Sequence, residues 1–157
     1  MSSDLRDLYQ DVILDHGKRP RNARVIEGAT FVQPAYNPLC GDKGTLYLSM
    51  DSTGQRIADA AYAGQGCSIS TASASIMTDF VRGKTREEAL RTFDLFHDMI
   101  TAPPDEAIHR AVEDLGKLSV FSGVAEFPAR VKCATLAWHA LKAALTAGPA
   151  AAPVTTE

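Results

Sequence analysis

Residues 44–50 read GTLYLSM, residues 51–54 read DSTG and residues 56–64 read RIADAAYAG. The first segment alternates in the way of a half-buried strand, with its Leu and Met side chains on one face. DSTG is a favourable turn sequence, so the three segments together predict a β-hairpin. From residue 68 to residue 81 the apolar residues recur at helical spacing instead. The chain therefore changes from strands to helices at about residue 66.

The other apolar patterns of the chain are helical. Residues 85–88, TREE, form a capping-box sequence that opens the second of these helices. Strands early in the chain and helices late predict an α+β domain, with helices packed on one side of a small antiparallel sheet of about three strands. The further predicted helices span residues 3–16, 85–99, 105–115 and 129–146, and residues 118–123 are too short to assign.

Length and composition indicate one domain and exclude some partners. The chain has 157 residues, enough for a single hydrophobic core. We expect a domain over residues 1–147 and a disordered C-terminal tail over residues 148–157. The formal net charge of −3 gives no basic footprint for nucleic acid. No apolar run approaches the roughly 18 residues of a membrane span, and the N-terminus lacks a signal-peptide pattern.

The three cysteines are the candidate functional residues. Cys40 lies in a loop sequence with Pro and Gly, Cys67 follows two glycines at the start of a predicted helix, and Cys133 follows two cations. Three cysteines cannot all pair internally, so a reduced, cytoplasmic setting is the simpler one. Three thiolates and an acid can hold zinc, and the same thiols can carry sulfur chemistry.

Residues near the cysteines leave several alternatives open. Asp42 is the natural fourth ligand, although an Asp beside a glycine also commonly caps a turn. Arg130 and Lys132 could offset the negative charge of such a site, or form a solvated first helical turn. The four histidines favour structural roles: His16 ends a helix, where a cation is stabilised, and the others, at positions 97, 109 and 139, lie on predicted helices.

The three cysteine segments resemble a known family. Residues 37–42 (NPLCGD), 64–70 (GQGCSIS) and 130–134 (RVKCA) are similar to the three cysteine motifs of the IscU-like, or NifU N-terminal, iron–sulfur cluster assembly family. Residues 8–16 and 20–22 resemble its opening. The similarity covers most of the chain, and it implies the IscU-like fold.

Two departures from the housekeeping scaffold branch of that family point to its SufU branch. Lys132 stands where that branch has a histidine, and the chain carries an extra segment around residues 97–122. Resemblance to the SufU branch implies a zinc-dependent sulfurtransferase that accepts persulfide sulfur from a SufS-type cysteine desulfurase. Downstream iron–sulfur assembly proteins would be the further partners.

The resemblance also implies roles for individual residues. Cys40, Asp42, Cys67 and Cys133 would bind zinc, with Cys40 as the sulfur acceptor and Arg130 as the residue that positions or releases it. The loop context of Cys40 favours the same choice. Two alternatives remain: a scaffold that binds iron or a [2Fe–2S] cluster on the same side chains, and a structural zinc module without sulfur chemistry.

Overall fold

A computed structural model describes residues 3–38, 41–101, 115–147 and 154–155. It contains a sheet of four strands, four α-helices and one 3₁₀ helix within those residues. In chain order these are α1 (Ser3–Lys18), β1 (Phe31–Asn37), β2 (Asp42–Met50), β3 (Ile57–Gln65), α2 (Ser68–Val81), α3 (Arg86–Thr101), the 3₁₀ helix (Gly116–Glu126), α4 (Pro128–Ala147) and β4 (Val154–Thr155).

The sheet confirms the predicted α+β class. Its strand order is β3-β2-β1-β4, and the first three strands pair antiparallel. The predicted hairpin is formed by β2 and β3. Both strands start and end within two residues of the predicted segments 44–50 and 56–64. The third strand, β1, was not located from the sequence. The two residues of β4 pair in parallel with Ala35 and Tyr36 of β1, on the side of β1 that faces away from β2.

The core lies between one face of the sheet and the helices. Leu46, Leu48 and Ile57 are completely buried on the strands, and each such side chain stabilises the fold by about 1.5–3 kcal/mol. On the helical side, the ring of Phe96 stacks on Trp138 with centroids 4.6 Å apart. The outer sheet face exposes Val32 and Tyr36, as expected for helices on one side only.

The small residues of α2 allow close helix packing. The Ser73 hydroxyl donates to the backbone oxygen of Ala134 on α4 at 2.6 Å and accepts from the indole nitrogen of Trp138 at 3.1 Å. Gly17 on α1 lies so close to α2 that an added Cβ would sit 3.2 Å from Ser68. Close packing of α2 against α4 therefore accounts for the small Ser73 side chain.

The predicted helices agree with the structure where it describes them. The capping box is present, since the Glu88 backbone nitrogen donates to Thr85 Oγ1 at 3.1 Å and Thr85 N donates to Glu88 Oε1 at 3.2 Å. Residues 118–123, left unassigned, belong to the 3₁₀ helix. The helix expected at 105–115 lies almost entirely outside the described residues. Within the described part of the chain, no helix is long and apolar enough to cross a bilayer.

Candidate metal centre

Three side chains from distant parts of the sequence converge at one end of the sheet. Asp42 begins β2, Cys67 immediately precedes α2, and Cys133 lies in the second turn of α4. One carboxylate oxygen and the two Sγ atoms all lie within 4.8 Å of one another. Asp42 and Cys133 are buried and Cys67 is half-buried. This is the spacing of atoms that can share one metal ion.

Asp42 is held by two donors inside the protein. Its Oδ1 accepts from the Cys67 backbone nitrogen at 2.9 Å, and its Oδ2 accepts from Asn37 Nδ2 at 3.2 Å. The turn between β1 and β2 is closed by backbone atoms instead, with Gly41 N donating to Asn37 O at 2.9 Å. Among the described residues, the carboxylate of Asp42 is therefore held by Cys67 and Asn37, on the side of the cluster.

Gly66 makes room for the Asp42 carboxylate. A Cβ at position 66 would lie 2.5 Å from Asp42 Oδ1, too close for any real contact. The glycine is required at this point because the carboxylate crosses directly over the backbone that leads into Cys67. The sequence alone does not explain why position 66 is a glycine, because the approach of Asp42 to Gly66 depends on the pairing of β2 with β3.

Cys67 occupies the N-cap position of α2. Its Sγ accepts from the Ser70 backbone nitrogen at 3.4 Å, so the unsatisfied donors of the first helical turn face the sulfur. Such a position stabilises a thiolate relative to a thiol. The predicted position of Cys67 at the start of a helix is confirmed.

Cys133 shares a donor with Asp42. Asn37 Nδ2 lies 3.7 Å from Cys133 Sγ as well as 3.2 Å from the Asp42 carboxylate. The sulfur also lies 3.7 Å from the backbone oxygen of Ala129, one turn earlier in α4. Asn37 thus links two members of the cluster, a role that the sequence did not indicate because Asn37 read there as a turn residue.

Arg130 supplies positive charge at the solvent side of the cluster. The negative charges of Cys67 and Cys133, followed by side-chain hydrogen bonds to both sulfurs, raise the pKa of its guanidinium. Arg130 is exposed, which leaves it accessible to an incoming anion.

The candidate acceptor Cys40 lies outside the described residues. The described chain runs to Pro38 on one side and resumes at Gly41 on the other. Cys40 therefore belongs to the segment that joins β1 to β2, two positions before Asp42. Its inclusion in the centre stays a prediction.

The described histidines lie in other surroundings. His16 is buried, with Nδ1 2.7 Å from the Ser75 hydroxyl. His97 and His139 pack against each other and against Phe93, with ring centroids 5.4–5.9 Å apart. His109 lies outside the described residues. Among those that are described, the metal-ligating types that meet are Asp42, Cys67 and Cys133.

The donor set fits a zinc ion. Zinc binds thiolate sulfur and carboxylate oxygen in four-coordinate sites, and the described cluster supplies two sulfurs and one oxygen. The same three ligands also fit iron, which takes thiolates in iron–sulfur clusters. The hydrogen bonds to Asp42 and Cys67 orient both side chains, as partners of metal ligands usually do.

In this α+β domain, three side chains that could hold a metal ion converge at the end of the sheet. Residues 8–134 match the NifU-like N terminal domain family. The chain belongs to that family, and its assignment from the cysteine motifs is confirmed.

Two curated relatives cover nearly the whole chain. It is 46% identical over 143 residues to the iron-sulfur cluster assembly scaffold protein IscU of Streptococcus pyogenes serotype M1, across 91% of this chain and 86% of that protein. It is 44% identical over 142 residues to the zinc-dependent sulfurtransferase SufU of Bacillus subtilis (strain 168), across 90% and 91%.

A solved structure supports the same fold. A SufU protein from Fervidobacterium islandicum AW-1, described as an iron–sulfur cluster assembly scaffold protein for the SUF system, superimposes with a TM-score of 0.77 at 35% identity. The match covers 92% of this chain and 100% of that one. The names of these relatives thus include both a sulfurtransferase and scaffolds.

Proposed function

We propose that this protein is a zinc-dependent sulfurtransferase, which accepts persulfide sulfur from a SufS-type cysteine desulfurase for iron–sulfur cluster assembly. The observation that carries the proposal is the meeting of Asp42, Cys67 and Cys133 within 4.8 Å. Similarity to the B. subtilis zinc-dependent sulfurtransferase over 90% of the chain supports it. Membership of the NifU-like family supports the coarser role in iron–sulfur cluster assembly.

In this proposal Cys40 completes the zinc site and accepts the sulfur. Bound zinc keeps the coordinating thiols deprotonated. The Cys40 thiolate attacks the outer sulfur of the desulfurase persulfide, the S–S bond of that persulfide breaks, and the desulfurase cysteine leaves as a thiolate. Cys40 then carries the persulfide, and no external oxidant or reductant is needed.

Arg130 assists this transfer through its charge. Three thiolates and a carboxylate around a divalent ion leave the centre net negative, which would repel an anionic persulfide. The exposed guanidinium beside Cys67 and Cys133 offsets that repulsion. A planar guanidinium can also pair with the Cys40 thiolate when it leaves the metal. Arg130 thereby positions or releases the acceptor.

The remaining parts of the proposal concern the downstream partners, the location in the cell and the extent of the functional domain. The downstream partners would be iron–sulfur assembly proteins, and reduced cysteines fit a cytoplasmic location. Residues 1–147 would form the functional domain. Residues 148–157 would form the C-terminal tail, of which Val154 and Thr155 pair with β1.

A scaffold for a [2Fe–2S] cluster is the second candidate. The relative from S. pyogenes, at 46% identity, is named a scaffold, and the cluster of Asp42, Cys67 and Cys133 has ligand types that iron accepts. Lys132, at the position where the housekeeping scaffold branch has histidine, favours the zinc alternative. The two candidates differ in the metal that the protein holds.

The distinguishing experiment is purification under anaerobic conditions, followed by metal analysis and by incubation with a SufS-type desulfurase and cysteine. The sulfurtransferase predicts about one zinc per chain and a one-sulfur mass gain on the peptide that contains Cys40. The Cys40→Ala variant should gain none. Iron and acid-labile sulfide in place of zinc would establish the scaffold, and zinc with no sulfur uptake would indicate a structural site.

A further inference from the structure

Tyr62 lies over a glycine next to the candidate metal centre. A Cβ at Gly44 would be 2.5 Å from the Tyr62 ring and 2.6 Å from its hydroxyl oxygen. Tyr62 belongs to β3, beside Leu46 of β2, so its ring extends along the inner face of the sheet toward the start of β2. Only a glycine at position 44 leaves space for this ring.

The tyrosine hydroxyl is one strand repeat away from Asp42. Gly44 and Asp42 are two residues apart on the same strand and therefore on the same face, a separation of about 6.6 Å. The carboxylate of Asp42 lies over the neighbouring Gly66. The hydroxyl and the carboxylate thus occupy neighbouring positions on one face of the sheet, and the charge of Asp42 acts on the hydroxyl. Polar groups at neighbouring positions can be joined through one water molecule.

The hydroxyl is a buried donor. Its oxygen is buried and has no hydrogen-bond partner among the residues that the structure describes. Burial, and then the negative charge of Asp42, raise the pKa of Tyr62, so the phenol stays protonated. A buried hydroxyl that makes no hydrogen bond is costly. The group therefore needs an acceptor in the functional state of the protein.

Asp42 has the capacity to be that acceptor. An ionised carboxylate has about four lone-pair positions. Two of these receive the hydrogen bonds from Cys67 N and Asn37 Nδ2. A metal ion takes a third, which leaves room for one more donor.

We propose that Tyr62 is a positioning residue of the metal centre, whose hydroxyl donates to the Asp42 carboxylate in the metal-bound protein, directly or through one water molecule. The proposal deepens the proposed function and rests on it, because it requires metal at Asp42. Such a bond restricts the carboxylate to one orientation on the metal. It thereby strengthens the bond between the metal and the Asp42 carboxylate, which is the oxygen ligand of the set.

The competing acceptor is water in a small neighbouring cavity. This cavity of about 30 Å³ lies beside Tyr62 and is also lined by Gln65, Ser70 and Ser75. It is large enough for a water molecule. If the hydroxyl donated only to such a water, Tyr62 would have no effect on the metal.

Tyr62→Phe removes the hydroxyl and keeps the ring. Tyr47→Phe is the matched control, because Tyr47 lies on β2 opposite Ala61, on the other face of the sheet. Each variant is loaded with Co²⁺ in place of zinc, and its ligand-field absorption bands and zinc affinity are measured by chelator competition. We expect Tyr62→Phe to shift the Co²⁺ bands and weaken zinc binding by about 10–100-fold, and Tyr47→Phe to match the wild type.

A double-mutant cycle with Asp42→Ala identifies the route of the effect. If Tyr62 acts through Asp42, Tyr62→Phe causes no further loss of zinc affinity in the Asp42→Ala protein. Unchanged Co²⁺ bands and affinity in Tyr62→Phe overturn the inference, as does an equal loss in both backgrounds. A wild type without thiolate-to-cobalt absorption overturns the proposed function itself, and the inference with it.

Discussion

Helix α2 borders two buried polar clusters that differ in how their groups are satisfied. One is the metal corner, which we define as Asp42, Cys67 and Cys133, at the N-terminus of the helix. The other, the Ser75 cluster, lies about two turns further along the helix and consists of Ser75 with its partners His16 and Arg21. Both are polar, yet their chemistry differs.

The Ser75 cluster is complete without a ligand. The Ser75 hydroxyl accepts from the Arg21 backbone nitrogen at 2.7 Å and contacts His16 Nδ1 at 2.7 Å. Neutral donors and acceptors are matched, and the contacts fix the loop after α1 against α2. This is the usual arrangement of a structural buried histidine.

The metal corner instead gathers groups that carry like charge. A carboxylate and two sulfurs within 4.8 Å of one another repel when ionised, and a few hydrogen bonds do not cancel that repulsion. Positive charge does, and the guanidinium of Arg130 beside the two sulfurs supplies part of it. We therefore interpret the metal corner, whose three members are all potential metal ligands, as a candidate metal site, and the Ser75 cluster, whose donors match acceptors, as packing.

Removal of zinc is the largest expected perturbation of the metal corner. Its members lie on β2, at the N-cap of α2 and on α4, so a bound metal ion would join three elements of the fold. Zinc at a thousandfold excess over its dissociation constant stabilises the native state by about 4 kcal/mol. We expect a chelator to lower Tm by about 10 °C. Thermal unfolding with and without chelator is the measurement, and Cys67→Ala, which lacks a ligand, should show no such difference.

Gly66→Ala tests the geometry of the corner without removing a ligand. The new Cβ would lie 2.5 Å from Asp42 Oδ1 and must displace the carboxylate. We expect zinc affinity to fall by about 10–100-fold. Gly123→Ala is the control, since a Cβ there meets no atom within 4 Å. Equal zinc affinities for the two variants in chelator competition would show that Asp42 is not a ligand.

Arg130→Ala separates charge at the corner from metal binding. We expect roughly tenfold slower sulfur acceptance from the desulfurase with unchanged zinc content, because a charge-assisted contact is lost at an exposed position. Arg91→Ala removes an equally exposed cation from α3 and should have no effect. Loss of zinc in Arg130→Ala would contradict the role assigned to the guanidinium.

The smallest expected effect is a pH dependence of the free energy of unfolding, which arises from His16 in the Ser75 cluster. Burial, and then the nearby charge of Arg21, lower the pKa of His16 below its usual value of 6.5. Below that pH His16 therefore binds a proton more readily in the unfolded chain than in the native protein. The free energy of unfolding should thus decrease as the pH falls from 7 to 5, and His16→Asn should reduce this decrease. Denaturant unfolding of the chelated protein at several pH values measures it, and identical slopes for both proteins would refute it.

Local sequence patterns predicted most of the helices and the hairpin. Alternation over β2 and helical periodicity in α1, α2 and α4 are local properties, and they sufficed. β1 was missed because FVQPAYN contains Gln33 and Pro34, which interrupt a strand pattern. In the described residues β4 pairs with β1 at Ala35 and Tyr36 and not at Pro34, so Pro34 has a partner strand on one side only.

The candidate site was only partly predictable for a different reason. The cysteines and Asp42 were recognisable from their own neighbours in the sequence. The roles of Asn37, Gly66 and Tyr62 depend on the register of β1, β2 and β3, which places residues together that local patterns do not relate. Strand register follows from the assembled sheet and its core.

X-ray absorption at the zinc edge of the anaerobically purified protein tests the central claim most directly. We expect three sulfurs at about 2.3 Å and one oxygen at about 2.0–2.2 Å from the zinc. The oxygen should disappear, or be replaced by water, in Asp42→Ala. A zinc shell without sulfur, or iron with sulfide in its place, would contradict the assignment of Cys40, Asp42, Cys67 and Cys133 as one zinc site.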